Sequence, residues 1–411
     1  MVNVSLPKVM GAPKSVDIAI TGRCNLSCKY CFYADEMVAL RDLPTERWLR
    51  FFAELGNLAV QRVTLTGGEV FTRPDLFELI DGVIASRMRY GLLTNGTLIT
   101  EKVLAQFEHG KRRLRLDSIQ ISIDGSRAEI HDKTRPGSFD RAIRGLRLLV
   151  EAGFPMTVRV TITRHNVDDL EAIAHLLLED VGLKSFSTNE AYACGIVERQ
   201  EDNIILTPAQ RRQAMQTLTD LVARYDGRIG ASAGPLALAR ESERIEAALA
   251  RGETGFPGRG TLCGCGGMWS KLAVLHDGTI VPCHTISELT LGVIGEDDFQ
   301  QVWLSHPTMV ELRKRHTIPL QSLETCRDCT YQGFCTGGCP QGALFHTGEL
   351  NARNPMNCYR VFKGEDPYYA LEAGGAIDYT IQQRSLWSDK SIEEISRMAM
   401  QNRSTEQKRT R

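Results

Sequence analysis

Cys24, Cys28 and Cys31 stand in a C-x3-C-x2-C spacing directly behind an apolar, β-rich run at residues 16–20. One short loop at a strand end can therefore offer three thiolates to a single centre, and no fourth cysteine stands nearby. A four-iron cluster held by three thiolates keeps one iron open for another ligand, as catalytic metal sites do. Zinc with a distant fourth ligand is the alternative for three such cysteines taken alone. The chain carries 12 cysteines, and all but Cys194 fall into groups with short spacers. Residues 1–14 lack the charged-then-apolar layout of an export signal. Scattered disulfides are thus the weaker reading, and metal or iron–sulfur ligation in a reducing compartment the stronger one. Cys194 reads as an ordinary buried thiol.

The rest of the composition mainly excludes. At 411 residues the chain is long enough for one large domain and a smaller one. A net charge of -1 gives no basic field for nucleic acid or an anionic membrane. No apolar run reaches the roughly 18–20 residues that cross a bilayer. The expectation is a cytoplasmic protein with neither nucleic acid nor membrane as partner.

Between residues 16 and 192, β-rich runs at 16–20, 62–66, 91–94, 118–123, 157–162 and 185–187 alternate with helical patterns at 45–58, 74–85, 139–152 and 168–179. Thr45, Pro74 and Ser138 mark helix starts. Six strand–helix repeats predict an α/β fold with a parallel sheet, open or closed into a partial (β/α)6 TIM-like barrel. Two further helices are expected at 208–224 and 235–251, followed by a glycine-rich joint. The division predicted is a lead-in (1–15), the barrel (16–206), a helical connection (207–257), a cysteine-rich domain (258–363) and a tail (364–411), whose last ten residues read as disordered. The cysteine-rich part is too small to bury much apolar surface, so metal clusters are expected to organise it.

The first cysteine loop, with aromatic Tyr30 ahead of the third cysteine, resembles the signature of the radical S-adenosylmethionine (SAM) superfamily. The resemblance continues along the barrel: Thr66-Gly67-Gly68-Glu69 after the second strand, Thr94-Asn95-Gly96-Thr97 after the third, and Ser122-Ile123-Asp124-Gly125 on the fourth. It implies SAM contacts from Tyr30, Gly67, Gly68, Glu69, Asn95, Ser122 and Asp124, with Arg135 pairing the SAM carboxylate. Each of these turns alone has a plain structural reading, but their order behind four successive strands is specific.

Further on stand Cys263 and Cys265, then Cys283, then Cys326-x2-Cys329-x5-Cys335-x3-Cys339, then Cys358. Eight thiolates suffice for two fully ligated four-iron clusters. This pattern resembles the SPASM extension of radical SAM enzymes, which carries two auxiliary clusters. By that resemblance Cys326, Cys329, Cys335 and Cys358 hold an outer cluster, and Cys265, Cys283, Cys339 and Cys263 an inner one. Without Cys263 the inner cluster has an open iron.

The cofactors implied are three [4Fe-4S] clusters and SAM, with reductive cleavage of SAM to a 5′-deoxyadenosyl radical and hydrogen abstraction from the substrate. A ribosomal peptide maturase forming an oxidative cross-link is the favoured reading, with a peptide or protein substrate and an external flavodoxin- or ferredoxin-like electron donor. With only the lead-in ahead of the first strand, leader recognition calls for a separate peptide-binding protein or another surface. An anaerobic sulfatase-maturing enzyme is the neighbouring reading. His284 stands where that family places an aspartate base, either as a base or as a simple hydrogen-bonding group. A small-molecule or tetrapyrrole dehydrogenase is a third enzyme reading. A non-catalytic iron–sulfur electron carrier is the alternative from another class; it leaves the three-cysteine set unexplained.

Overall fold

The structure is a computed structural model and describes residues 8–34, 37, 42–192, 204–262 and 265–368. Cys194, Cys263 and most of the expected tail lie outside the described residues.

All six expected strands form: β1 (Ser15–Thr21), β2 (Arg62–Gly67), β3 (Arg89–Thr94), β4 (Leu116–Ser122), β5 (Met156–Ile162) and β6 (Phe186–Glu190). They pair in parallel in chain order, and a short β7 (Ile229–Ala231) between the two connecting helices adds a seventh strand beside β6. β1 has a second neighbour that strand periodicity alone did not reveal. Its other edge pairs in parallel with β8 (Lys271–Val274), which turns back into β9 (Thr279–Val281) and β10 (Gly292–Val293). The cysteine-rich part is therefore joined to the barrel through one ten-stranded sheet.

The sheet's strands are buried because helices cover them. On the helix Thr45–Asn57, Trp48, Phe51, Phe52 and Leu55 recur at a helical period and are buried. On Phe139–Glu151, Ala142, Gly145, Leu146 and Leu149 do the same. Val16, Ile18 and Ile20 of β1 are fully buried, as are Val63 and Leu65 of β2. Each such side chain contributes roughly 1.5–3 kcal/mol on burial. Trp303 is also core, while Phe32 is exposed.

Helix starts depart from expectation in their chemistry. Thr45 is the first helical residue rather than the cap, and its hydroxyl bonds Asp75 Oδ2 at 2.5 Å. Ser138 sits at the cap position, but the Asp132 carboxylate accepts from Ser138 N and Phe139 N, both at 3.1 Å. The helix expected at 168–179 breaks into a 3-10 turn, a short α-helix Leu170–His175 and a π turn Leu176–Asp180. No helix among the described residues is long and apolar enough to cross a membrane.

Candidate functional site

The carboxyl ends of parallel strands are where an α/β sheet presents side chains to ligands. Here the β1 end leads into the cysteine loop, β2 into Glu69, β3 into Asn95 and β4 into Asp124.

The cysteine loop is held by its neighbours' backbones. Gly68 N donates to Thr21 O at 2.9 Å and Glu69 N to Arg23 O at 2.7 Å. A Cβ at Gly67 meets Thr21 O at 2.2 Å and one at Gly68 meets Arg23 O at 2.1 Å. The two glycines thus allow close approach to the cysteine loop itself. Arg73, buried behind them, donates to Ile20 O at 2.6 Å and Leu43 O at 2.9 Å and pairs with Asp75. Asn25, inside the loop, clasps the β3 turn: its Nδ2 donates to Thr97 Oγ1 at 2.8 Å and its Oδ1 accepts from Asn95 Nδ2 at 2.9 Å.

Two buried carboxylates organise the ground beneath the loop. Glu69 accepts from Asn95 N and Thr94 Oγ1, both at 2.7 Å, and from Phe71 N at 3.2 Å. A carboxylate offers about four lone-pair positions, so one remains for an ammonium. Burial raises the Glu69 pKa, with the Asn95 amide and the Thr94 hydroxyl opposing it. Asp124 is more fully committed. It accepts from Tyr30 OH, from Arg135 Nε at 2.5 Å and from Thr161 N at 2.7 Å. Arg135 therefore has a protein carboxylate as its partner, where the sequence reading gave it the SAM carboxylate. Its Nη1 reaches Cys28 Sγ at 3.6 Å and its guanidinium lies 5.2 Å from the Tyr30 ring centre. Ser122 Oγ has no protein partner among the described residues.

His131, which the sequence reading passed over, holds this network from behind. Its Nδ1 accepts from Asp124 N at 3.0 Å, so the neutral ring donates through Nε2 to Ser138 Oγ at 3.0 Å. Burial lowers its pKa to about 4. The only sequence signal for it is its place in the His131–Arg135 turn that follows β4.

The thiols separate into three sets. Cys24, Cys28 and Cys31 feel one another's charge, and burial raises Cys24 and Cys31 to about 11. Cys326, Cys329, Cys335 and Cys358 line one small cavity and are mutually coupled; burial pushes Cys335 up to about 12. Cys339 is raised by burial and feels Cys265 and Cys283. A backbone amide two residues on points at the sulfur in each set: Leu26 N to Cys24 at 3.5 Å, Gly267 N to Cys265 at 3.3 Å, Gly337 N to Cys335 at 3.2 Å. N–H donors aimed at soft, buried sulfur suit iron–sulfur ligation, where bonds to the sulfurs tune the centre. The chemistry of these donor sets suits the iron–sulfur clusters that the resemblance implies.

His284 follows Cys283. Its Nε2 lies 3.2 Å from Val274 O, and its ring meets the edge of Tyr33 at 6.1 Å. Tyr33 OH in turn lies 2.8 Å from His276 Nδ1, so this aromatic group ties the cysteine loop to β8 and β9.

A cavity of about 460 Å³ adjoins the auxiliary thiols and is lined by Cys329, Cys335, Cys339 and Cys358 together with Tyr192, Arg212 and Ala237.

Residues 18–177 match the radical SAM superfamily, and residues 263–330 match the SPASM iron–sulfur cluster-binding domain. The AdoMet-dependent heme synthase of Methanosarcina barkeri is 26% identical over 85% of this chain and 97% of its own length. The PqqA peptide cyclase of Ruegeria pomeroyi is 27% identical over 84% and 87%. The mycofactocin maturase MftC of Mycolicibacterium smegmatis is 30% identical over 82% and 81%. Among solved structures, Streptococcus suis SuiB bound to its precursor peptide SuiA superimposes with a TM-score of 0.66 at 17% identity, covering 85% of this chain and 77% of SuiB.

Proposed function

The chain belongs to the radical SAM superfamily, with a SPASM domain that binds auxiliary iron–sulfur clusters, and from that membership we propose that it matures a peptide by an oxidative modification. The observation that carries this reading is the three-thiol loop at the carboxyl end of β1. Beneath it lies a buried carboxylate with one acceptor position to spare, and two further thiol sets stand in the part of the chain that β8, β9 and β10 join to the same sheet.

The [4Fe-4S] cluster supplies one-electron reductive cleavage of SAM, and with it the power to take hydrogen from an unactivated carbon. Cys24, Cys28 and Cys31 are the residues for that cluster. The spare position on Glu69 is placed to accept from the SAM amine, and Ser122 Oγ is free to bond its ribose. Asp124 acts indirectly, by fixing Tyr30 and Arg135 against the cofactor's pocket. Cys326, Cys329, Cys335 and Cys358 suit the outer auxiliary cluster, and Cys265, Cys283 and Cys339 the inner one, with Cys263 as its fourth ligand. Residues 258–363 serve as the unit that houses both. His284, bound to the Val274 carbonyl, fits a hydrogen-bonding role better than that of a base. The electron comes from a flavodoxin- or ferredoxin-like donor.

Peptide maturation is preferred because one relative is named a peptide cyclase, the PqqA cyclase, and another a maturase, that of mycofactocin. The heme synthase relative supports tetrapyrrole modification as a second reading. Anaerobically reduced protein with SAM is expected to form 5′-deoxyadenosine, and a Cys28→Ala variant none. Co-expression with short peptides encoded beside the gene is expected to give a product lighter by two hydrogens. Modification of an added porphyrin instead would favour the second reading, and absence of 5′-deoxyadenosine would remove both.

A further inference from the structure

We infer that Arg353 and Asp366 form a charge pair that sets the reduction potential of the cluster at Cys326, Cys329, Cys335 and Cys358. This rests on the reading that these four thiols hold an iron–sulfur cluster. Arg353 Nη1 donates to Cys358 Sγ at 2.8 Å and to Asp366 Oδ2 at 2.6 Å, and Nη2 donates to Asp366 Oδ1 at 2.8 Å. The side chains are 4% and 0% exposed. Tyr368 N bonds the same Oδ1 at 3.0 Å, so the carboxylate is held from both sides. The Arg353 charge also acts on Cys326 and Cys329, lowering both thiols against the rise that burial causes. Its field thus covers three of the four sulfurs.

Adding one electron to the cluster adds one negative charge. A fixed cation and an N–H bond at a ligand sulfur stabilise that charge, and a buried carboxylate opposes it. Arg353 therefore raises the midpoint and Asp366 restrains the rise. A plain structural tether has no need of a guanidinium aimed at a ligand sulfur, since buried ion pairs contribute little net stability. The two roles also differ in sign. A tether weakens whichever partner is removed, whereas the tuning role moves the midpoint in opposite directions for the two removals.

The experiment is a redox titration of the full-length reconstituted enzyme followed by electron paramagnetic resonance, with SAM added to mark the first cluster's signal. Arg353→Met is expected to lower one auxiliary midpoint so that the oxidised-to-reduced ratio at fixed potential rises about tenfold, equal to 59 mV for one electron. Asp366→Asn is expected to raise the same midpoint, and the other two clusters stay where they were. Midpoints that move together, or not at all, overturn the inference. If Arg353→Met fails to assemble its cluster, Arg353→Lys, which keeps the charge, is expected to retain both cluster and midpoint; loss of the cluster there too assigns the pair a tethering role and overturns the inference. Wild-type iron near eight per chain rather than about 12, unchanged in Cys326→Ser, overturns the four-thiol reading itself and the inference with it.

Discussion

Glu69 and Asp124 show how little of a buried carboxylate is free once its donors are counted. Glu69 takes three donors and Asp124 takes Tyr30, Arg135 and Thr161. In Glu69→Gln one acceptor oxygen becomes an NH2 facing the Asn95 or Phe71 amide. The expected cost is about 1–3 kcal/mol, read as a lower denaturation midpoint, together with weaker SAM binding by calorimetry. His131 supplies a pH test. Its pKa falls from the usual 6.5 to about 4 on folding, so between those values the unfolded chain binds a proton that the folded chain refuses. Stability therefore rises with pH across that window and levels off above it, by about 3 kcal/mol in all. Thermal melts over that range should show a shallower pH slope in His131→Gln. The types of residue at this site were legible in the sequence, because strand ends and glycine turns announce themselves. Their partners were not. Nothing local says that Arg135 spends its Nε on Asp124, that Gly68 makes room for Arg23 O, or that Asn25 reaches across to Thr97. Such pairings join positions far apart in the chain.

Helices and long strands were read closely wherever a period and an end signal agreed. The helix Pro208–Arg224 begins where Pro208 predicts, and Thr207 and Gln210 close a reciprocal capping box across its first turn. Thr207→Ala removes the bond to Gln210 N and is expected to cost about 1 kcal/mol, measurable by denaturant titration as a fall in midpoint without change in slope. The stretch after Asn166 defeated the periodic reading for a tertiary reason. Asp169 takes Ser126 N and Ser126 Oγ at 2.7 Å, which fixes the entry as a 3-10 turn before the α-helix can start. Strands of two to four residues such as β7 to β10 carry too few positions for an alternation to register, so their place in the sheet came only from pairing.

At the scale of the whole molecule, β1 is an interior strand, flanked by β2 and by β8, about 250 residues further along the chain. Lys271 of β8 also pairs with Asp17 of β1 at 2.9 Å. A chain truncated after residue 258 is therefore expected to expose the β1 edge and to aggregate rather than give a free barrel. Light scattering and the loss of one sharp melting transition check this. Removing Cys326 and Cys329 alone should leave the sheet intact, since neither lies on a strand. The same arrangement sets an order of events on the ribosome. At about 5–20 residues per second, the first strand leaves the exit tunnel tens of seconds ahead of its far neighbour, with one hydrogen-bonding edge bare throughout. The nascent protein must wait for its final third before that edge is sealed, so early iron loading would act on a half-built barrel, and chaperone demand should peak in that interval.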